Sequence, residues 1–238
     1  MLFYVNKSYR MKKNLLVACF LIISLAAFAQ APSIGIKGGL NIATITNPDD
    51  GNSVSSSSIA TFNAGIFVDF KFGNFSLQPA LNYTGKGGNY TENLYYYFPD
   101  AVPGPNISNG SGAGTENVKE QLYYLQLPLN IVYHLPVVVG NIYFGVGPYI
   151  AQGLSGKITD SYSNASTVTT QKVTFGNSAS DVRATQFGAD AIIGFKSRSG
   201  ILFNVNYDLG LTNDIPASAN NGSSKSRVFG ISVGYVFL

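Results

Sequence analysis

The chain has 238 residues, a formal net charge of +3 and few charged residues, but it is rich in Gly, Tyr and Phe. This length suits one domain of ordinary size. With a single cysteine, the sequence excludes disulfide frameworks and thiolate metal sites.

The N-terminus is typical of an export signal. From Met11 the chain reads Met-Lys-Lys, followed by an apolar run from Leu15 and a small-x-small cleavage site at Ala27-Phe28-Ala29. We interpret residues 1–29 as an N-terminal extension and secretory signal peptide, because the run is shorter than the roughly 20 residues of a membrane-spanning helix. Leu-Val-Ala-Cys19 resembles a lipoprotein cleavage site, but its apolar stretch is too short and continues beyond the cysteine. Cleavage leaves eleven basic against twelve acidic residues, so no nucleic-acid partner is expected.

Beyond the leader, in residues 30–238, the sequence predicts eight β-strands. Each alternates large apolar residues with small or polar ones, a period of two. In chain order they cover residues 33–42, 61–70, 75–84, 123–134, 142–151, 186–196, 201–210 and 227–238. The fourth has Tyr123 and Tyr133 at the ends of its apolar face, as expected where a strand crosses two lipid–water boundaries.

The connections between these strands alternate in length. Polar, Gly- and Ser-rich segments, including the two longest at 86–119 and 154–182, alternate with tight turns such as that at 71–74. A barrel inserted from the periplasm has short turns on the periplasmic side and long loops outside. An even strand count therefore predicts that both termini are periplasmic.

The apolar faces of the predicted strands carry almost no charge. The polar faces include Lys37, Asp69, Gln126, Asp190, Lys196 and Asp208. A soluble lipocalin-type barrel has an apolar interior, and the apolar faces of this chain would aggregate in water. In lipid they are stable, and barrel closure satisfies the backbone. We therefore expect an all-β fold, an eight-stranded antiparallel up-and-down transmembrane β-barrel, whose lumen is filled by these six residues as a structural polar network.

Two prolines interrupt the predicted strands. Pro79 and Pro128 lie inside the third and fourth strands, where proline cannot donate a ladder hydrogen bond. Bulges or breaks in the ladder are expected at both.

Three motifs resemble those of a known family: Gly35-Ile-Lys-Gly-Gly-Leu-Asn41, Pro79-Ala-Leu-Asn-Tyr-Thr-Gly-Lys-Gly87 and Tyr124-Leu-Gln-Leu-Pro-Leu129. Over essentially the whole mature chain, the sequence is similar to the small outer-membrane β-barrel family of Bacteroidetes that includes the PorT-like proteins. The resemblance implies a barrel in the bacterial outer membrane, and the PorT-like members are associated with type IX secretion and gliding. Such barrels commonly end on an aromatic residue that the barrel-assembly machinery reads. Here Leu238 follows Phe237, and strand 227–238 is the expected contact with that machinery.

The sequence offers few candidates for chemistry, and we expect no catalytic residue, cofactor or metal. His134 is the only histidine, and it lies at the short-turn end of its strand, whereas lipid-modifying barrel enzymes act at the outer leaflet; a structural role is favoured. Tyr95, Tyr96, Tyr97 and Phe98 lie in the longest loop. They form either a ligand-contacting patch, since tyrosines give rigid amphipathic contact area, or a boundary girdle.

The functional expectation is a non-enzymatic outer-membrane barrel with a side-chain-plugged lumen. Any specific role, in binding, adhesion, envelope structure or secretion, is assigned to the loops 86–119 and 154–182. The expected partners are outer-membrane lipid, the assembly machinery and an unidentified extracellular ligand or envelope protein. Three alternatives remain: a lipid-modifying enzyme, a narrow channel and a periplasmic lipocalin-like carrier.

Overall fold

The computed structural model describes residues 31–46, 56–96, 112–162, 168–176, 181–214 and 224–237. These contain eight long strands: β1 (Ser33–Thr46), β2 (Ile59–Phe72), β3 (Phe75–Tyr96), β4 (Gly112–Val137), β5 (Gly140–Tyr162), β6 (Thr185–Ser197), β7 (Ile201–Gly210) and β8 (Lys225–Phe237). Short segments pair beside them: Ser56–Ser57 with β3, Val168–Lys172 with β5, and Phe175–Gly176 with Val182–Arg183. No helix in the described part of the chain is long and apolar enough to cross a membrane.

The eight long strands form a closed antiparallel ring. Each pairs with its neighbours in the chain, and β1 pairs with β8 from Ile34 opposite Phe237 to Thr46 opposite Lys225. Closure gives every strand two hydrogen-bonded neighbours and leaves no sheet edge to lipid. The predicted eight-stranded up-and-down barrel, with its first and last strands paired, is confirmed.

The barrel turns its apolar side chains outward and its polar ones inward. Exposed side chains include Leu40, Ile131 and Val233, whereas Gln126 and Asp190 are buried. This is the orientation of a membrane barrel and the reverse of a lipocalin-type carrier. The alternation dictates it, because successive side chains of a strand point to opposite faces.

Aromatic rings mark the two ends of the apolar outer surface. Phe62, Tyr83 and Tyr123 pack together with ring centroids 5.3 to 5.6 Å apart. Tyr133 packs between Phe75 and Phe144, at 5.0 and 5.3 Å. Ten residues separate Tyr123 from Tyr133 on β4, about 33 Å of strand, which the usual tilt reduces to about 25 Å, the height of a membrane barrel's apolar band. Tyr123 and Tyr133 therefore lie with other aromatic rings at the two ends of the apolar face of β4, the arrangement that the sequence predicts.

Short turns join the strands at one end of the barrel, called here the turn end. Two residues connect β2 to β3, and two connect β4 to β5. Gly73 and Gly200 adopt φ of 65° and 91°, a left-handed conformation that glycine takes without strain. The long connections lie at the opposite end, called the loop end, so the predicted alternation holds.

The ladder breaks at both internal prolines. Pairing between β3 and β4 passes from Pro79 opposite Leu129 directly to Asn82 opposite Gln126. Between β4 and β5 it passes from Pro128 opposite Tyr149 to Ile131 opposite Val146. The expectation of breaks is confirmed, and the register is unchanged across each gap.

The predicted loop boundaries at 86–119 and 154–182 are wrong, because strands extend into both segments. β3, β4 and β5 have 22, 26 and 23 residues, and their pairing continues to Tyr96 opposite Gly112 and Glu116 opposite Tyr162. Beyond the girdle no lipid selects apolar residues, so the alternation disappears while backbone hydrogen bonding continues. The change to a polar composition therefore shows where these strands leave the lipid, not where they end. We call this projection of β3, β4 and β5 beyond the girdle the wall.

Candidate functional site

Hydrogen-bonded polar side chains form a layer in the lumen at mid-height. Gln126 donates from Nε2 to Asp208 Oδ2 at 2.9 Å, and Asn130 donates from Nδ2 to Asp190 Oδ2 at 2.6 Å. Asp190 and Asp208 are register partners on β6 and β7. Lys37 reaches the same region from β1, within electrostatic range of both carboxylates. Four of the six predicted network residues therefore meet here.

An amide chain continues this layer around the barrel. Asn63 donates to Asn41 Oδ1 at 2.6 Å, and Asn41 donates to Thr84 Oγ1 at 2.9 Å. Ser232 donates from Oγ to Asn63 Oδ1 at 2.8 Å. These uncharged residues were left out of the predicted network, although their inward position follows from the same alternation.

The other two predicted network residues lie apart, at the turn end. Asp69 Oδ2 is 3.6 Å from His134 Nε2, and Ser76 Oγ is 2.8 Å from the same nitrogen. Lys196 lies near Asp69 and Lys71. An apolar layer separates this group from the mid-height layer; it consists of Phe67, Ala80, Val132, Tyr143, Ile192, Leu202 and Val236. The expected single network is therefore two groups.

The His134 cluster lacks the geometry of a catalytic triad. In a triad the carboxylate and the hydroxyl meet different ring nitrogens, whereas Asp69 and Ser76 both approach Nε2. Ser76 is buried inside the barrel at the turn end, out of reach of a lipid substrate. The contacts suit a structural role in closing the turn end.

At the loop end, a buried lysine is the centre of a second polar cluster. Lys86 is 0% exposed, and its Nζ donates to Tyr149 Oη at 3.3 Å and to Gln186 Oε1 at 3.2 Å. The ammonium lies 5.2 Å from the ring centroid of Tyr124 and 4.4 Å from that of Tyr149. Gln186 donates in turn to Asp214 Oδ1 at 2.6 Å. Cation–π contacts and hydrogen bonds together stabilise the buried charge.

Sequence reasoning missed Lys86 because it stands first in the segment 86–119 that was assigned to a loop. The inward alternation of Gln78, Ala80, Asn82 and Thr84 continues to Lys86 without interruption. This continued alternation could have identified Lys86 as an inward-facing residue of β3.

Part of the segment between β5 and β6 folds over this cluster. We call residues 173–176 and 181–184 the cap. Val173, Phe175 and Val182 pack on the loop-end apolar cluster of Leu122, Tyr124, Tyr149 and Ala151. The cap is held by backbone hydrogen bonds from Val173 N to Gly156 O, from Gly153 N to Ala184 O and from Arg183 N to Asp214 O. Part of the predicted 154–182 loop thus packs on the lumen contents instead of extending into solvent.

Two carboxyl groups at the loop end have raised pKa values. Burial raises the pKa of Asp214, which follows β7, to about 7, although Lys86 and Arg183 oppose the shift. Burial also raises the pKa of Glu120, on the wall, to about 7. Both groups therefore change charge near neutral pH.

The predicted aromatic patch is only partly within the described residues. Tyr95 and Tyr96 lie at the end of β3, opposite Ala113 and Gly112. Tyr97 and Phe98 lie outside the described residues. Tyr95 and Tyr96 are therefore part of the far end of the wall, well beyond the aromatic girdle.

A sequence model of the outer membrane protein beta-barrel domain matches residues 28–215 of the chain. A search of curated proteins found no match. Among solved structures, Ail of Yersinia pestis is 12% identical, with 87% of this chain and 100% of that chain covered and a TM-score of 0.44. Neisserial surface protein A is 10% identical, with the same coverage and TM-score. The N-terminal β-barrel domain of Pseudomonas aeruginosa OprF is 14% identical, with 85% and 97% covered and a TM-score of 0.29.

Proposed function

Because the chain belongs to the outer membrane protein beta-barrel domain family, we propose that it is a non-enzymatic outer-membrane barrel with a closed lumen and a binding wall outside the cell. In this proposal the lumen is closed, the short turns face the periplasm and the binding surface lies outside the cell.

The wall is the observation that carries the binding role. A strand tilted across a bilayer needs about 9–11 residues, and β3, β4 and β5 have at least twice that number. The excess projects from the loop end as a hydrogen-bonded sheet with Tyr95 and Tyr96 at its far end. A rigid sheet presents side chains with little loss of conformational entropy on binding. We infer that any ligand or envelope partner contacts this wall.

The orientation follows from how such barrels insert. The short turns, the start of β1 and the end of β8 lie together at the turn end, which is periplasmic in barrels of this kind. Placing the turn end in the periplasm puts the wall outside the cell.

Two exposed valines test the orientation. Val168, beside the wall, and Val138, in the turn between β4 and β5, are 64% and 83% exposed. We expect Val168→Cys to react with a membrane-impermeant thiol reagent on intact cells. Val138→Cys should react only after the outer membrane is permeabilised. The opposite labelling pattern would place the wall in the periplasm and end the proposal.

A trimmed wall tests the binding role. Tyr90 pairs with Val118, so replacing residues 91–117 by a two-residue Asn-Gly turn shortens both strands in register. The shortened barrel should still fold and resist heat in detergent, and it should lose a partner that the full chain crosslinks on intact cells. If both proteins crosslink to the same partners, the wall is not the binding surface.

The closed lumen is supported by side-chain packing at three heights. The turn-end apolar layer, the mid-height polar layer and the loop-end cluster under the cap follow one another along the barrel axis. Eight-stranded barrels are just wide enough for their own side chains. We expect planar bilayers containing the protein to show no discrete conductance steps, and regular steps would support the narrow-channel alternative instead.

A further inference from the structure

We infer that the turn end of the barrel contains a binding site for a phosphate group, held by Lys71 of β2 and Lys196 of β6 at the mouth of the lumen. This goes beyond the proposed function, which treats the turn end only as part of a closed lumen. A lipid headgroup and free inorganic phosphate offer the same chemistry, and a separate experiment distinguishes these two sources.

Two lysines from opposite strands point into this mouth. Lys71 is two residues from the buried Asp69, so it shares the inward face of β2. Lys196 is two residues from Gly194, where a Cβ would meet the hydroxyl of the inward-facing Tyr143. β2 and β6 are four strands apart in the ring of eight, and a barrel of this size is just wide enough for its own side chains. The two lysine side chains therefore interact across the mouth, and Lys196 is also within electrostatic range of Asp69.

Positive charge predominates at the turn end. Beyond the apolar layer, the described residues at this end include one carboxylate, Asp69, and three basic side chains, Lys71, Lys196 and Arg198. Asp69 directs Oδ2 toward His134, 3.6 Å away, and neither lysine forms an ion pair with a carboxylate of the described residues. Two lysines close together repel each other, and a single carboxylate compensates only one of them. An anion between the two ammonium groups would remove this repulsion.

The donors at the mouth suit a phosphate group. Each lysine ammonium has three N–H donors, and lysine binds phosphate as a point charge. Asn141 pairs with Lys196 on the neighbouring β5 and shares the inward face of Tyr143, so its amide adds an uncharged donor. Both lysines are only partly buried, so an anion reaches them from the solvent without crossing the apolar layer. A metal cation would be repelled by the same charges.

The first test compares unfolding in phosphate and in chloride. The full barrel in dodecyl maltoside, a detergent without phosphate, is unfolded by heat in sodium phosphate or in sodium chloride at equal ionic strength and pH. We expect the unfolding temperature to rise with phosphate and to saturate, as binding to the folded state alone requires. Equal unfolding temperatures in the two salts would overturn the inference. A rise without saturation is the general effect of an excluded salt and would overturn it too.

Matched variants locate the effect. Lys71→Met and Lys196→Met each keep an unbranched side chain and remove the charge, so each should abolish the phosphate-dependent rise. In chloride neither variant should unfold at a lower temperature, because removing one ammonium relieves the repulsion and leaves one lysine beside Asp69. Lys119→Met, on the exposed wall at the opposite end, should keep the rise. A rise that survives in both turn-end variants, or that disappears in Lys119→Met, contradicts the assignment.

Phosphatidylglycerol identifies the source of the phosphate. It is added to the micelles in chloride without free phosphate, and the unmodified barrel is compared with the Lys71→Met, Lys196→Met double variant. A rise in unfolding temperature that the two substitutions abolish would assign the site to a lipid headgroup. A rise with free phosphate alone would assign it to a soluble phosphate. If neither gives a rise that depends on the two lysines, the site does not exist.

A direct measurement covers the case in which the variants do not fold. Crystals of the unmodified barrel grown with tungstate, a heavy tetrahedral oxyanion, should give an anomalous peak between the Nζ atoms of Lys71 and Lys196. The absence of a peak at that position would refute the site.

Discussion

At the scale of single residues, the barrel depends on where its charges are buried. Lys86 is enclosed by two tyrosine rings and an amide oxygen, whereas Asp190 and Asp208 lie beside Lys37 at mid-height. A lysine at the wall surface, such as Lys119, has none of these constraints. The contribution of a lysine to the stability of the barrel therefore depends on its position.

Removing the buried ammonium should be costly. Lys86→Ala deletes the cation–π contacts, opens a cavity and removes a cation that interacts electrostatically with Asp214. We expect unfolding in urea with detergent to show a loss of about 3–5 kcal/mol. Lys119→Ala is the control and should change stability by less than about 0.5 kcal/mol. Equal effects would mean that Lys86 is not buried in the folded barrel.

A charge on the lipid face should also be costly. Val233 is 53% exposed on the outer face of β8, between the two aromatic levels. Val233→Arg should destabilise the barrel by about 2–4 kcal/mol in lipid, measured by urea unfolding in vesicles. Val138→Arg, in the turn, should have little effect; a similar cost for both would place Val233 outside the membrane.

Ser232, the inward-facing neighbour of Val233 on β8, is also a poor position for a charge. Ser232 is buried and donates to Asn63. Charge is therefore poorly tolerated on both faces of β8 at this height, on one side by lipid and on the other by packing.

At the scale of elements, the cap depends on a close approach between β5 and Phe175. A Cβ on Gly153 would lie 2.3 Å from the Phe175 ring, so Gly153→Ala should displace the cap. We expect limited proteolysis to cleave residues 173–184 faster, while the barrel remains heat-resistant. Gly38→Ala is the matched control, because the nearest atom to its Cβ would lie 3.6 Å away, an ordinary contact. Unchanged cleavage in Gly153→Ala would contradict the packing.

The loop end should loosen as pH rises. The folded-state pKa values of Asp214 and Glu120 are raised, so the folded state binds more protons than the unfolded one between the ordinary carboxyl range and about pH 7. The stability they contribute is present at low pH and is lost as pH rises through 7. We expect hydrogen-exchange protection factors of the cap and adjacent wall to fall between pH 5 and pH 8.

A double variant, Asp214→Asn with Glu120→Gln, provides the control for this pH dependence. It removes both titrating groups and should flatten the pH profile of the protection factors. A profile that stays as steep as that of the unmodified protein would assign the pH dependence to other groups.

At the scale of the whole molecule, the barrel is uneven in height. β6, β7 and β8 have 10 to 13 residues, about half the length of β3 to β5. The short side spans the apolar band and little more, while the long side rises as the wall. Membrane crossing and projection beyond the membrane therefore belong to different parts of one continuous sheet.

The sequence by itself determined the barrel. Strands such as 227–238 must face lipid on one side and the lumen on the other, so they repeat with period two, and the turn lengths set their order. Only the tertiary structure decided where the strands end and which lumen groups meet. Lys86 meets Gln186 across 100 residues, and such a pairing depends on barrel closure and register. The sequence did not reveal the wall for a related reason. Backbone hydrogen bonds stabilise this part of the sheet, and strands that no longer contact lipid need no outward apolar residues at every second position.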